Sequence, residues 1–248
     1  MKTAAKAISR DQGLPRRAIL IAFSLLLVIG AVFFSQTVLA EEEYPNQSAE
    51  EQAKGREFIE VTSKRAFDVL KQKDVLSQAE LEDQMRVILT DSFAIDYIGK
   101  LVLGRHRKQA TKEELKTYFD LFPDFLIKVY ASRLTKLDTT EIEIERVIPH
   151  GKKDMFVRSK VDGENNETFD VDWRIRPFKD KGYQIIDVKI EGISMARTQR
   201  DDFTSRVSES KMAGLNQYMQ NIIDGTEEAE PLEIEKADKP ENDDTEDS

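Results

Sequence analysis

A nucleophile elbow places a serine on a sharp turn between a strand and a helix, with a small residue two positions to either side. Gly192-Ile193-Ser194-Met195-Ala196 has that context, with Ala where the second Gly belongs. A hydrolase of this type carries its His after the Ser. The two histidines of this chain, His106 and His150, both precede Ser194. The spacing therefore predicts a structural role: Gly192 makes the turn and Ser194 caps the last helix. Asp170-Val171-Asp172 offers a carboxylate pair for metal or acid–base work. In a strand, however, both carboxylates share a face with Arg174 and Arg176, which reads as a solvated, salt-bridged surface. His106, between Arg105 and Arg107, is expected to be exposed. There is no Cys, no His pair at helical spacing and no Gly-Lys-Ser/Thr after Gly99 or Gly104. The pattern thus contains no zinc site and no phosphate-binding loop, and we expect no catalytic residue, no metal and no cofactor.

The elements that position these residues follow from hydrophobic period. Phe58, Ile59, Thr62, Ala66, Phe67 and Leu70 recur at helical spacing, as do Leu81, Met85, Ile88 and Leu89. Thr111-Lys112-Glu113-Glu114 is a capping box that starts a long helix lined by Leu115, Tyr118, Phe119, Phe122, Phe125, Leu126, Val129 and Tyr130. Pro123 should kink that helix or break it. From Glu141 the period drops to 2, in Glu141–Glu145, Asp154–Val161, Phe169–Arg176 and Tyr183–Ile190, with turns at Gly151, Gly163–Asn166 and Asp180–Gly182. A last helix carries Phe203, Val207, Met212, Leu215, Met219 and Ile222 on one side. Helices, then strands, then a helix predict an α+β fold: a curled four-stranded antiparallel sheet packed against several helices.

The two ends of the chain differ from this middle. Lys2, Lys6, Arg10, Arg16 and Arg17 face a lone Asp11, and the apolar run Ala18–Phe34 leads to Val38-Leu39-Ala40. That is the layout of a secretory signal cleaved after Ala40. The run also reaches the lower limit of about 17 residues for a spanning helix, which makes an uncleaved anchor the alternative. Either way the remainder is expected beyond a membrane, where a chain without Cys must rely on its core alone. From Gly225, eleven carboxylates face only Lys236 and Lys239, a composition that predicts a disordered acidic tail. The expected organisation is a signal peptide over 1–40, one domain over 41–224 and the tail over 225–248. The tail holds most of the net charge of −10. A nucleic-acid footprint would need a basic face, so nucleic acid is not an expected partner.

What is unusual is the apolar excess of two faces. The long helix presents Phe119, Phe122, Leu126, Val129 and Tyr130, and the sheet presents Val171, Trp173, Ile175, Val188 and Ile190. These faces make an ordinary core, or they line a cavity for an apolar ligand.

Several of these residues resemble the MlaC family, also called the toluene-tolerance family. Leu103-Gly104-Arg105, Ala110-Thr111, Phe119, Phe122, Tyr130-Ala131 and Leu134 lead to Val171-Asp172-Trp173-Arg174. Asp187-Val188, Glu191-Gly192-Ile193-Ser194, Arg200, Phe203 and Gly214-Leu215 then follow in the family's order and spacing. The resemblance covers roughly residues 50–223. It implies an NTF2-like fold and a non-enzymatic periplasmic phospholipid carrier that serves outer-membrane lipid asymmetry. It also implies two partners, an outer-membrane lipoprotein–porin complex and an inner-membrane ABC transporter complex. On this reading the residues of the two faces enclose the acyl chains. The alternatives are a membrane-anchored NTF2-like interaction protein, or a small-molecule enzyme with a buried Asp, Tyr or His in the cavity.

Overall fold

The computed structural model describes residues 46, 48–134, 142–162 and 168–229. The expected signal peptide, the Gly163–Asn166 turn and the tail beyond Ala229 lie outside the described residues. The elements are α1 (Ala49–Leu70), α2 (Gln78–Ser92), α3 (Ile95–Leu103), a 3-10 turn (Gly104–Lys108) and α4 (Lys112–Leu134). They are followed by β1 (Ile142–His150), β2 (Asp154–Asp162), β3 (Thr168–Phe178), β4 (Gly182–Ile190), β5 (Ile193–Ser194) and α5 (Met195–Ile223). No helix among the described residues is long and apolar enough to cross a membrane.

The fold is α+β, with one antiparallel sheet in chain order. It has five strands where the period predicts four, because Ile193–Ser194 turns back on β4, pairing Ile193 with Ile190 and Ser194 with Lys189. A two-residue strand is too short to show alternation, so sequence period cannot reveal it. Gly192, at φ +80°, makes the reversal, a conformation that glycine adopts without Cβ strain.

Helix starts follow local chemistry. Ser48 accepts from the Glu51 N–H at 3.2 Å, and Ser77 with Glu80 forms a full capping box at α2. The Thr111–Glu114 box forms as expected, with N–H contacts of 2.8 and 3.1 Å. Pro123 does not break α4, which runs as one helix from Lys112 to Leu134. Proline removes one intrahelical donor, but Phe122, Phe125 and Leu126 beside it are buried in tertiary contacts that hold the helix together.

The last helix departs further from expectation. Lys211 sits at φ 64° and ψ −175° inside α5, dividing it into two segments. In a straight helix Arg206 and Tyr218 would lie about 18 Å apart, yet the Arg206 guanidinium stacks 3.5 Å from the Tyr218 ring centroid. The helix therefore folds back on itself. Gly214 permits the reversal, since a Cβ there would collide with the Ser210 side chain.

Three apolar clusters result. The helical cluster joins α3, α4 and α5 around Phe122, Phe125, Phe203 and Leu215. The sheet cluster joins α1 to β2, β3 and β4 through Ile59, Met155, Val157, Ile175 and Ile185. A smaller one ties the end of α1 to α2 through Val69, Leu81, Met85 and Ile88.

Candidate functional site

Register sorts the α1-facing side of the sheet into rows of side chains. Ile142, Val161 and Phe169 form the first row, and Ile144, Ser159, Val171 and Ile190 the second. Val147, Val157, Trp173 and Val188 form the third, and Pro149, Met155, Ile175 and Ile185 the fourth. The fourth row is closed by α1: a Cβ on Gly55 would meet Met155 Cε at 2.8 Å and Ile175 Cδ1 at 3.0 Å. Arg56 fixes this contact by donating to the carbonyls of Ile144 and Glu145, at 3.0 and 3.1 Å. Those carbonyls lie at a β-bulge between Ile144 and Arg146, where an extra residue interrupts the ladder. Towards the first row the burial loosens, and Ile142, Ile144, Val161, Phe169 and Ile190 are only half-buried. Trp173 is half-buried too, and its Nε1–H donates to the fully buried Ser159 Oγ at 3.0 Å, which satisfies the indole's one donor.

The expected lining residues fall into two groups. Phe122, Leu126 and Val129 belong to the helical cluster, with Phe119 and Tyr130 packed against it. Ile175 belongs to the sheet cluster, with Trp173 and Val188 packed against it. Val171 is buried beside the half-buried Ile190 in the second row. The structure thus does not pack the whole set into one core. Phe93 packs against both clusters, and the helix lying on the fourth row is α1 rather than α4. Sequence reasoning missed Phe93, Gly55 and Ile59 as part of this site. Gly55, a glycine inside a helical pattern, is the local cue that α1 approaches another element closely.

The α4 stripe is held from the other side. Gly99 lets α3 approach, since a Cβ there would stand 3.1 Å from Phe122 and 3.2 Å from Phe119. The Tyr118 hydroxyl donates to the Gly99 carbonyl at 3.0 Å, and burial pushes its phenol well above the usual range. It is a neutral structural donor.

The catalytic look-alikes resolve into structural roles. Ser194 caps α5, accepting from the Arg197 N–H at 3.1 Å, and its own hydroxyl donates to Asp187 Oδ2 at 2.6 Å. Asp187 Oδ1 accepts the Ala196 N–H at 3.0 Å, so the helix start has two caps. The Ser194 proton is committed to a carboxylate, not to an imidazole. Asp172 takes a bidentate pair from Arg158, at 2.7 and 2.8 Å. Arg174 and Arg176 converge instead on Asp154, whose side chain is 5% exposed. That surface is therefore less solvated than expected. Burial alone would raise the Asp154 carboxyl, but the hydrogen bonds from Arg176 and Arg174 hold it below the ordinary value. Among the described residues no group of three or more His, Cys, Asp or Glu is placed to hold a metal ion.

His106 corrects a second expectation, for it is buried, at 6% exposure, while Arg105 and Arg107 are exposed. At about three residues per turn, a 3-10 turn that sends both arginines outward directs the residue between them inward. Neither imidazole nitrogen has a hydrogen-bond partner among the described residues.

The family model for the MlaC protein matches residues 60–221. Among solved structures, a phospholipid-binding protein from Ralstonia solanacearum, in complex with a phospholipid, is similar in fold. The likeness covers 68% of this chain and 97% of that one, with 19% identity and a TM-score of 0.55. The family match spans everything from the middle of α1 to the end of α5, and on that extent the chain belongs to the MlaC family.

Proposed function

We propose that this protein is a phospholipid carrier that encloses the acyl chains of its cargo against the loosely covered rows of the sheet. The observation that carries this reading is the division of the apolar residues into a helical cluster and a sheet cluster, with half-buried Trp173, Val188 and Ile190 at the open end. A domain built only to be stable would close that face. Membership of the MlaC family supports the reading, as does the phospholipid held by the Ralstonia solanacearum protein of similar fold.

The energetics favour enclosure over a surface groove. Two acyl chains hold about 30 methylenes, and at ~0.8 kcal/mol each their exposure to water costs on the order of 20 kcal/mol. A headgroup has no such cost and stays outside. Enclosure needs walls that separate, and Phe93, which touches both clusters, is the place where they meet. The lining set is Phe119, Phe122, Leu126, Val129 and Tyr130 on α4 with Val171, Trp173, Ile175, Val188 and Ile190 on the sheet. No step in this function requires bond making, so we assign no catalytic residue.

In the finer reading, residues 1–40 are removed on export to the periplasm. The carrier there links an inner-membrane ABC transporter complex with an outer-membrane lipoprotein–porin complex and serves outer-membrane lipid asymmetry. Organic extraction of the natively purified protein followed by mass spectrometry tests the central claim. Stoichiometric phospholipid is expected, and protein that never carries lipid, from any preparation, removes the assignment. Amino-terminal sequencing is expected to read from Glu41; a start at Met1 would make the carrier a tethered one.

A further inference from the structure

We propose that the acidic carboxy-terminal segment of this chain, residues 230–248, docks reversibly on the chain's own basic surface around the 3-10 turn. The proposal rests on the placement of charge and is independent of the lipid reading.

From Tyr97 to Lys112 the chain contains no Asp or Glu but carries Lys100, Arg105, Arg107, Lys108 and Lys112. All five are exposed. None takes part in an ion pair among the described residues, whereas Lys54, Lys64, Arg65, Lys116 and other exposed helix cations do. The turn that carries three of them is fixed from beneath. Arg200 donates from Nε and Nη2 to the Leu101 carbonyl, at 2.8 and 2.5 Å, and its side chain runs under Gly104. The His106 carbonyl accepts from the Gln109 and Ala110 N–H groups at 3.0 and 3.2 Å, and the buried imidazole anchors the centre. The cations are thus held on a firm base with no counter-charge paired to them there.

The opposite charge lies in the same chain. Residues 230–248 contain nine carboxylates and two lysines. The route to the basic surface is short. Asn216 Nδ2–H donates to the Glu114 carbonyl at 3.0 Å, which sets the returning half of α5 against the first turn of α4, next to Lys112. From there α5 runs seven residues to Ile223, about 10 Å. Ala229 still packs against the helical cluster. The nineteen residues beyond it reach up to about 60 Å when extended. A tether of this length keeps the carboxylates at an effective concentration in about the millimolar range. Individually weak surface pairs then suffice, because the segment does not have to be captured from dilute solution. While docked, it screens the turn from other anionic surfaces.

The absence of Cys makes the test direct, since a single Ser248→Cys change accepts one nitroxide label. On the isolated protein at low salt, amide signals of residues 105–112 are expected to broaden more than those elsewhere. The effect should be unchanged on dilution and lost near 1 M salt, where the screening length is about 3 Å. It should also vanish in Arg105→Glu/Arg107→Glu/Lys108→Glu, checked for native circular dichroism. Broadening that is absent or uniform at low salt overturns the proposal. Broadening that grows with protein concentration does so too, because it assigns the contact to a second copy. An independent arm uses phosphatidylethanolamine vesicles containing phosphatidylglycerol. Glu241→Gln/Asp243→Asn/Asp244→Asn/Glu246→Gln/Asp247→Asn is expected to bind them about tenfold more tightly than the parent. Equal binding shows that the segment does not cover the basic surface and overturns the proposal.

Discussion

The Ser194 hydroxyl donates to Asp187 across a two-residue strand, at 2.6 Å, and the same carboxylate accepts the Ala196 N–H at 3.0 Å. The strand-to-helix turn is thus built around Asp187, with Ser194 as its near partner. Ser194→Ala is expected to cost about 1 kcal/mol as a lost cap. Asp187→Ala is expected to cost more, about 2–3 kcal/mol, because a charge-assisted acceptor disappears and two donors lose their partner. Urea unfolding of both single variants and the double variant checks this. A double variant no worse than Asp187→Ala confirms that they act as a unit, and lipid carriage is expected to survive Ser194→Ala.

Val171 is the place where core and cavity make different demands. It sits at 6% exposure between Ser159 and Ile190. In a close-packed core Val171→Trp would overpack and cost typically about 1–3 kcal/mol. If the second row borders cargo, the indole occupies acyl-chain room instead. The expected outcome is a clear fall in co-purified phospholipid with a nearly unchanged thermal midpoint, read by mass spectrometry and calorimetry on the same sample.

The Asp154 cluster gives the fold an acid-side dependence. Its carboxyl, which burial alone would raise, is held by Arg176 and Arg174 below the ordinary value of about 3.9. A depressed carboxylate contributes its full stability above the ordinary value and loses it as pH falls through the lower folded one. The thermal midpoint of the parent is therefore expected to drop below about pH 4. Asp154→Asn, which strands two arginines, is expected to be less stable at neutral pH, with the gap to the parent closing as the pH is lowered.

Phe93 packs against both the helical and the sheet clusters, and its backbone pairs with Ile185 at the sheet. Phe93→Ala is expected to cost about 3 kcal/mol and to weaken lipid retention as well. Phe125→Ala, which lies in the helical cluster alone and outside the lining set, serves as the comparison. Equal lipid retention in the two variants would remove Phe93 from the role of meeting point.

Much of the fold is legible in the sequence because its signals are local. The period-2 runs correspond closely to β2, β3 and β4, while Glu141–Glu145 marks only the first half of β1, which continues past its bulge to His150. Thr111 with Glu114 forms the box that their spacing predicts. The illegible parts are set by tertiary contact. Phe203 and Val207 keep one helical face and Met212, Leu215, Met219 and Ile222 keep another, with the phase slipping over the five residues from Val207 to Met212. Read together as a single stripe, the two sets hide the break at Lys211. Gly214 is the residue there that hints at a reversal. His106 reads as exposed because of its arginine neighbours, yet the turn geometry directs it inward. Which helix lies on the sheet is not written in any periodicity. The stripe on α4 and the face of β3 are both identifiable as apolar, but their separation around Phe93 depends on how α1 fills the fourth row.

That placement of α1 shapes the order in which the molecule assembles. Each strand pairs with its neighbour in sequence, so the sheet can form by successive hairpins at small loop-closure cost. The first half of α1 has no such neighbour: Arg56 reaches Ile144 across 88 positions, and Glu51 reaches Tyr183 across 132. Its second half is tied locally to α2. Residues 49–59 are accordingly expected to dock on the sheet after its hairpins have paired. Amide exchange in the folded state is expected to be faster there than in β3.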